Sequence, residues 1–181
     1  MSTQPSPPPA DRHATAAGED VSEGRIALLQ RMPIFGAVRA DILRLLLELS
    51  RLVRVGRQEF FFREGDPADC MYVLESGRAE VLKRWKGEQA WLHSLEQGDC
   101  FGEMALMDLF PRSASVRAIE DCTAIELPVA SLYRISERDL EQFALIEMNM
   151  GREISRRLRE SDERLFRTVM LTDEKGEPKR G

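Results

Sequence analysis

The chain predicts a mainly β domain, a barrel or jelly roll, with helices at both ends. Three observations carry this expectation. Between Gly56 and Pro128 the sequence breaks into short runs rich in β-branched and aromatic residues, separated by Gly, Asp and Pro. On either side the apolar residues recur at helical spacing. The central runs are also too short and too often punctuated for a parallel sheet, whose strands need long crossovers.

The elements follow in order. Residues 1–22 are rich in Pro, Ser, Thr and Ala and nearly free of large apolar groups. They cannot bury enough surface to offset their ordering entropy, so a disordered tail is expected. From Glu23, "GRIALLQRM" is helical in spacing, "PIF" interrupts it, and "RADILRLLLELSRLV" resumes it with Ile42, Leu43, Leu46 and Leu47 on one side. The strand-like runs are "EFFFRE", "CMYVLESG", "RAEVLKRW", "AWLHSL", "SVRAIED" and "TAIELP". Their breakers are Gly65-Asp66-Pro67, Gly77, Lys86-Gly87 and Gly98-Asp99. After Pro128, "VASLYRI" predicts a short helix, and Ser136 with Asp139 a capping box for a longer one over about 137–170. Gly151 is its weak point. Glu153/Arg157, Glu160/Arg164 and Glu163/Arg167 are i,i+4 pairs in the favourable order, each contributing ~0.2–0.5 kcal/mol. Residues 171–181 read as a frayed polar end. The expected ordered domain is therefore 23–170, with N-terminal helices over 23–50, a barrel over 51–127 and hinge and lid helices over 129–170.

Composition removes several function classes. A net charge of −5 gives no global attraction to nucleic acid or anionic lipid, so an anion site has to be local. Cys70, Cys100 and Cys122 lack CxxC spacing, which points to buried thiols in a reducing cytoplasm rather than disulfides or zinc. His13 and His93 are too few for the metal of a jelly-roll oxygenase of the cupin kind. No apolar run is long enough to span a membrane, and no secretion signal is evident.

The chemistry concentrates in "CFGEMALMDLFPRSASVRA", residues 100–118. Gly102 lacks a Cβ and lets the backbone approach a ligand closely. "EMALM" fits one short helical turn, whose first N–H groups favour an anion. Arg112, stiffened by Pro111, offers a permanent planar cation suited to phosphate. Glu103 is an acceptor only, and suits a hydroxyl. Two arrangements are open on the residues alone. Glu103 and Arg112 either pair with each other across a loop, or face one cavity that takes a ribose bearing a phosphate.

"REGDPADCMYVLESG" followed by "LEQGDCFGEMALMDLFPRSASVRA" resembles the cyclic nucleotide-binding domain family over roughly residues 26–169. The resemblance implies an eight-stranded jelly-roll barrel with N-terminal helices and a long C-terminal helix, and no enzymatic activity. It assigns the ribose 2′-hydroxyl to Glu103 and the cyclic phosphate to Arg112. Met104, Ala105 and Ser113 complete the cradle through backbone groups, and Gly102 gives access. Ala114 follows in the cassette. Phe101, with Leu106 and Val116, lies beneath it, while Met71 and Val73 wall the base. Ser113 either reads guanine or bonds the phosphate or a neighbouring backbone group, so it leaves the base open.

"RRLRESDERL" resembles the dimerisation helix of the catabolite-activator branch, which makes Ser161, or Asp162, the base contact. The resemblance favours cAMP, with cGMP as rival, and no cofactor. The stripe Ile154, Leu158, Leu165, Val169 is either a homodimer seam or a face packed on the barrel. No helix-turn-helix segment of the ~60 residues needed follows, so DNA binding is not expected. The expected role is a stand-alone cytoplasmic sensor whose C-terminal helix moves on binding and signals to a protein effector. The alternative is an interaction scaffold that keeps the fold without the ligand.

Overall fold

The structure, a computed structural model, describes residues 23–173; the expected N-terminal tail and the last residues, 174–181, lie outside the described residues. The helices are α1 (Glu23–Gln30), a 3-10 turn (Pro33–Phe35), α2 (Ala40–Glu48), α3 (Met104–Asp108), α4 (Val129–Arg138) and α5 (Leu140–Asp173). The strands are β1 (Arg51–Val55), β2 (Phe60–Phe62), β3 (Cys70–Ser76), β4 (Ala79–Trp85), β5 (Glu88–Leu95), β6 (Cys100–Phe101), β7 (Ser115–Ala118) and β8 (Cys122–Pro128).

The strands form two antiparallel four-stranded sheets, ordered β1-β8-β3-β6 and β2-β7-β4-β5. Strands adjacent in sequence repeatedly fall in opposite sheets, which is the jelly-roll arrangement expected. One expectation is corrected at its start. The helical pattern continues in sequence to Val53, but α2 ends at Glu48 and Arg51–Val55 is β1, paired with β8 from Arg51↔Glu126 to Val55↔Cys122. Val53 and Val55 point between the sheets, and their β-branched side chains favour the strand.

Side-chain alternation along β3 and β8 divides the interior in two. Cys70, Tyr72 and Leu74 point between the sheets, beside Phe61, Phe62, Val81, Phe101 and Val116. Met71 and Val73 point the other way, with Ile125 and Leu127, into a layer of α1, α2, α4 and the first half of α5. A strand covered on both faces reads as an unbroken apolar run, which is why "CMYVL" shows no alternation in sequence.

Helix α5 has two halves. Asp139 caps it by accepting from the Gln142 N–H at 3.1 Å, whereas Ser136 belongs to α4 and donates to the Tyr133 carbonyl at 2.7 Å. The expected capping box therefore reduces to Asp139 alone. The first half is tied to the helical layer: Ile146 and Met150 are fully buried, and Asn149 donates to the Gly36 carbonyl at 2.9 Å. Gly151 lies inside the continuous helix. Beyond Glu153 the helix runs past the barrel, with Leu158, Leu165, Phe166, Val169 and Met170 exposed. All three expected i,i+4 ion pairs form along it.

Candidate functional site

A cavity of about 90 Å³ opens between the second sheet, the segment 101–104, the segment 112–114 and α5. Phe62, Val81, Leu95, Phe101, Ala114 and Val116 supply its apolar walls. Its polar groups are Glu103, Arg112, Ser113, His93 and Arg157.

Arg112 enters from the loop after α3. Its backbone is fixed on both sides by the β2–β3 turn: its N–H donates to the Asp66 carbonyl, and its carbonyl accepts from the Gly65 N–H, both at 2.9 Å. The side chain is 4% exposed. Its guanidinium stacks over Phe62, 4.2 Å from the ring centroid, with the Tyr72 ring 5.9 Å away. Nη1 donates to the Gly102 carbonyl at 2.9 Å and Nη2 to the Cys70 sulfur at 3.3 Å. Nε is buried and has no hydrogen-bond partner. Among the described residues no carboxylate forms an ion pair with this guanidinium. Its bonds go to neutral groups.

Gly102 explains how the arginine fits. It has φ +81°, and a Cβ there would lie 2.5 Å from Arg112 Nη1 and 3.3 Å from the Phe62 ring. The sequence expectation was that this glycine admits a ligand to the backbone. In the structure the space it leaves is filled by the arginine.

Glu103, at the start of α3, is 1% exposed. Its Oε1 accepts from Arg157 Nη1 at 2.7 Å. Burial pushes its carboxyl above the ordinary carboxylate range, against the attraction of Arg157 and, more weakly, Arg112. Arg157 also donates through Nη2 to the Cys100 carbonyl at 3.0 Å and through Nε to Glu153 at 3.0 Å. One α5 side chain is thereby fastened to the cassette. Glu103 and Arg112 share the cavity wall without bonding each other, so the pairing alternative does not describe this chain.

The remaining predicted positions divide. Phe101, Gly102, Met104, Ser113 and Ala114 line the cavity with Glu103 and Arg112. Ala105 is in α3, adjacent to Met104. Met71 and Val73 do not line the cavity. They face the helical layer, and neither parity of β3 lines the cavity. The walls assigned to them belong to Val81, Leu95 and His93. Ser161 is exposed on α5, one turn beyond Arg157, and does not line the cavity either. Arg157 itself was legible only as the partner of Glu153. Leu106 packs against the helical layer, while Val116 lies between the sheets as expected.

Behind Arg112 runs a buried polar chain. The Cys70 thiol donates to the Tyr72 hydroxyl at 3.3 Å, and that hydroxyl donates to Glu126 at 3.2 Å. Glu126 in turn pairs with Arg51. All three cysteines are free and buried, as expected. Among the described residues no cluster of His, Cys, Asp and Glu could hold a metal ion, and no helix is long and apolar enough to cross a membrane.

Residues 52–139 match the sequence profile of the cyclic nucleotide-binding domain. A cAMP-dependent protein kinase regulatory subunit of Emericella nidulans is 35% identical over 108 residues, 60% of this chain and 24% of that protein. The Cyclic AMP receptor protein of Thermus thermophilus is 30% identical over 133 residues, 72% of this chain and 59% of that protein. The chain therefore spans about a quarter of the length of the first relative and less than two thirds of the second. The co-crystal structure of the regulatory domain of Toxoplasma gondii PKA with cAMP aligns at a TM-score of 0.62 and 26% identity, covering 66% of this chain and 47% of that one.

Proposed function

Because the chain belongs to the cyclic nucleotide-binding domain family, we propose that it is a non-catalytic sensor of a cyclic mononucleotide, cAMP before cGMP. The observation that carries this is Arg112. A buried cation with an unpaired N–H and no carboxylate partner is costly unless an anion meets it. The anion has to be small and attached to something that fits apolar walls and offers a hydroxyl to Glu103. A ribose cyclic phosphate with a purine satisfies all three.

Arg157 couples the site to α5. A ribose hydroxyl donating to Glu103 meets the carboxylate that holds Arg157, so binding acts on the same atoms that fasten the helix. The ligand then shifts an existing equilibrium of α5 positions by its different affinity for each. The exposed stripe of Leu158, Leu165 and Val169 is the surface whose presentation changes, and we assign it to a homodimer or to the effector that reads the signal.

A ligand-free scaffold is the competing reading. The Glu103–Arg157 pair favours it, because the carboxylate is satisfied within the chain. It leaves Arg112 unexplained. Titration calorimetry with cAMP, cGMP and a cyclic dinucleotide separates the two. Arg112→Ala removes at least two charge-assisted bonds of ~1.5–3 kcal/mol each, hence at least ~100-fold in affinity. Unaltered affinity in a variant that keeps its circular dichroism would overturn the site. Absence of heat and of thermal shift with every nucleotide would leave the scaffold.

A further inference from the structure

His93 has no part in the cradle, yet it lines the cavity. Its position follows from the sheet order β2-β7-β4-β5. Arg112 lies over Phe62 of β2, at one edge of this sheet. His93 is on β5, the other edge, in register with Val81 of β4. Three strand spacings separate the two edges, about 14 Å along the sheet. The two strands between them, β7 and β4, contribute Val116 and Val81 to the wall, and Leu95 lies beside His93 on β5. A nucleotide with its phosphate on Arg112 and its ring along this wall brings the far edge of the base to the imidazole.

We propose that His93 reads the base, and that its protonation state sets the choice between adenine and guanine. The inference rests on the site reading above. A neutral imidazole offers one acceptor and one donor, and an imidazolium two donors. Adenine presents an acceptor at N7 beside a donor at N6, whereas guanine presents acceptors at both N7 and O6. The two ring nitrogens point apart, so one of them meets the base edge: neutral His93 can accept from adenine N6, whereas charged His93 can only donate, which suits guanine O6 and N7. Acid selects the guanine nucleotide.

The charged groups facing this ring are Arg157 and Arg164 from α5 and Asp99 from the β5–β6 turn. Burial first, then the two arginines, hold the imidazole below its ordinary value, and Asp99 acts the other way. The ring is thus neutral at neutral pH, which is the state that favours cAMP. It charges only as pH falls below about 6.5, the ordinary histidine value.

The test is calorimetric titration of the full chain with cAMP and with cGMP between pH 8 and pH 5.5, for the wild type, His93→Gln and His93→Leu. In the wild type the ratio of the cAMP to the cGMP dissociation constant should rise roughly tenfold across this range, the equivalent of one hydrogen bond made and one lost. In His93→Gln, which keeps a donor and an acceptor but does not titrate, the ratio should stay flat at its neutral-pH value. In His93→Leu it should be flat and closer to unity. A ratio that does not change with pH in the wild type, or that changes equally in His93→Gln, overturns the inference while leaving the site standing. Failure of both nucleotides to bind at any pH removes the site and this inference together.

Discussion

The pair between Glu103 and Arg157 fixes a magnitude that does not depend on any ligand. The carboxylate side chain is 2% exposed and the guanidinium 33% exposed, 2.7 Å apart. Exposed pairs contribute ~0.2–1 kcal/mol, and removal of one partner of a buried pair costs ~3–5 kcal/mol. With one partner buried and the other a third open to solvent, Arg157→Gln should destabilise by about 2–3 kcal/mol. That corresponds to a fall of roughly 4–12 °C in Tm for a chain of this size. Glu103→Gln removes the charge that needs compensation. The double variant should therefore recover part of the loss, with a coupling of about 1–2 kcal/mol from urea unfolding of the four proteins.

The pH dependence has a definite sign. Burial raises Glu103 above its ordinary value, so protonation is favoured in the fold, and ionising it as pH rises works against stability. Arg157→Gln removes the α5 charge that offsets that ionisation. Its deficit should be largest at neutral pH and shrink as pH falls toward the carboxylate range, a trend absent once Glu103→Gln is added. Additivity within ~0.5 kcal/mol, or a deficit that grows on acidification, would refute the assignment of this contact as a buried ion pair.

Three further outcomes are expected. Gly102→Ala places a Cβ 2.5 Å from Arg112 Nη1 at φ +81°, so it should destabilise by roughly 1–3 kcal/mol and displace the arginine, lowering nucleotide affinity more than stability alone explains. Burial pushes Cys100 up to about 12 and raises Cys70 and Cys122, so a thiol reagent at pH 8 should react with the native chain far more slowly than with the three cysteines of the unfolded one. Leu165→Glu, on the exposed stripe of α5, should leave the unfolding midpoint of the barrel nearly unchanged and lower the sedimentation coefficient if the stripe joins two copies.

The sequence carried the β topology and the cassette well because both are written in local chemistry. Turn glycines mark strand ends, and Gly102, Glu103 and Arg112 lie within a span of eleven residues. Its failures occur where a side chain's direction depends on distant packing. In "CMYVL" every residue is buried, so nothing local shows that one parity faces the helical layer, the other lies between the sheets, and neither lines the cavity. Arg157 looked fully used by Glu153 four residues earlier, and nothing local shows that its other nitrogens reach Glu103 and Cys100. The start of β1 agrees with the barrel start expected at residue 51, but the apolar helix pattern runs on to Val53, so no separate strand run was legible there. His93 was hidden by a register shift: pairing β4 and β5 outward from Lys86-Gly87 would set Val81 opposite Leu92, and the irregularity between Val81 and Leu82 sets it opposite His93 instead.

The two charged members of the cassette are treated unequally by their own chain, and this inequality decides what kind of signal the site can carry. Glu103 has a counter-ion on α5, so its contribution is present whenever the helix is fastened. Among the described residues Arg112 stacks on Phe62 and bonds a carbonyl and a thiol, with Nε left over. An anion arriving at Arg112 gains a large interaction without disturbing any ion pair. A hydroxyl arriving at Glu103 gains little unless Arg157 moves or shares the carboxylate. On the proposed reading, affinity is therefore concentrated at the phosphate end and conformational coupling at the ribose end. Arg112→Ala should cost at least ~100-fold in affinity, whereas Arg157→Gln should leave binding measurable but uncouple α5 from it. A ligand-induced change in α5 hydrogen exchange that persists at full size in Arg157→Gln would show that the helix receives the signal by another route.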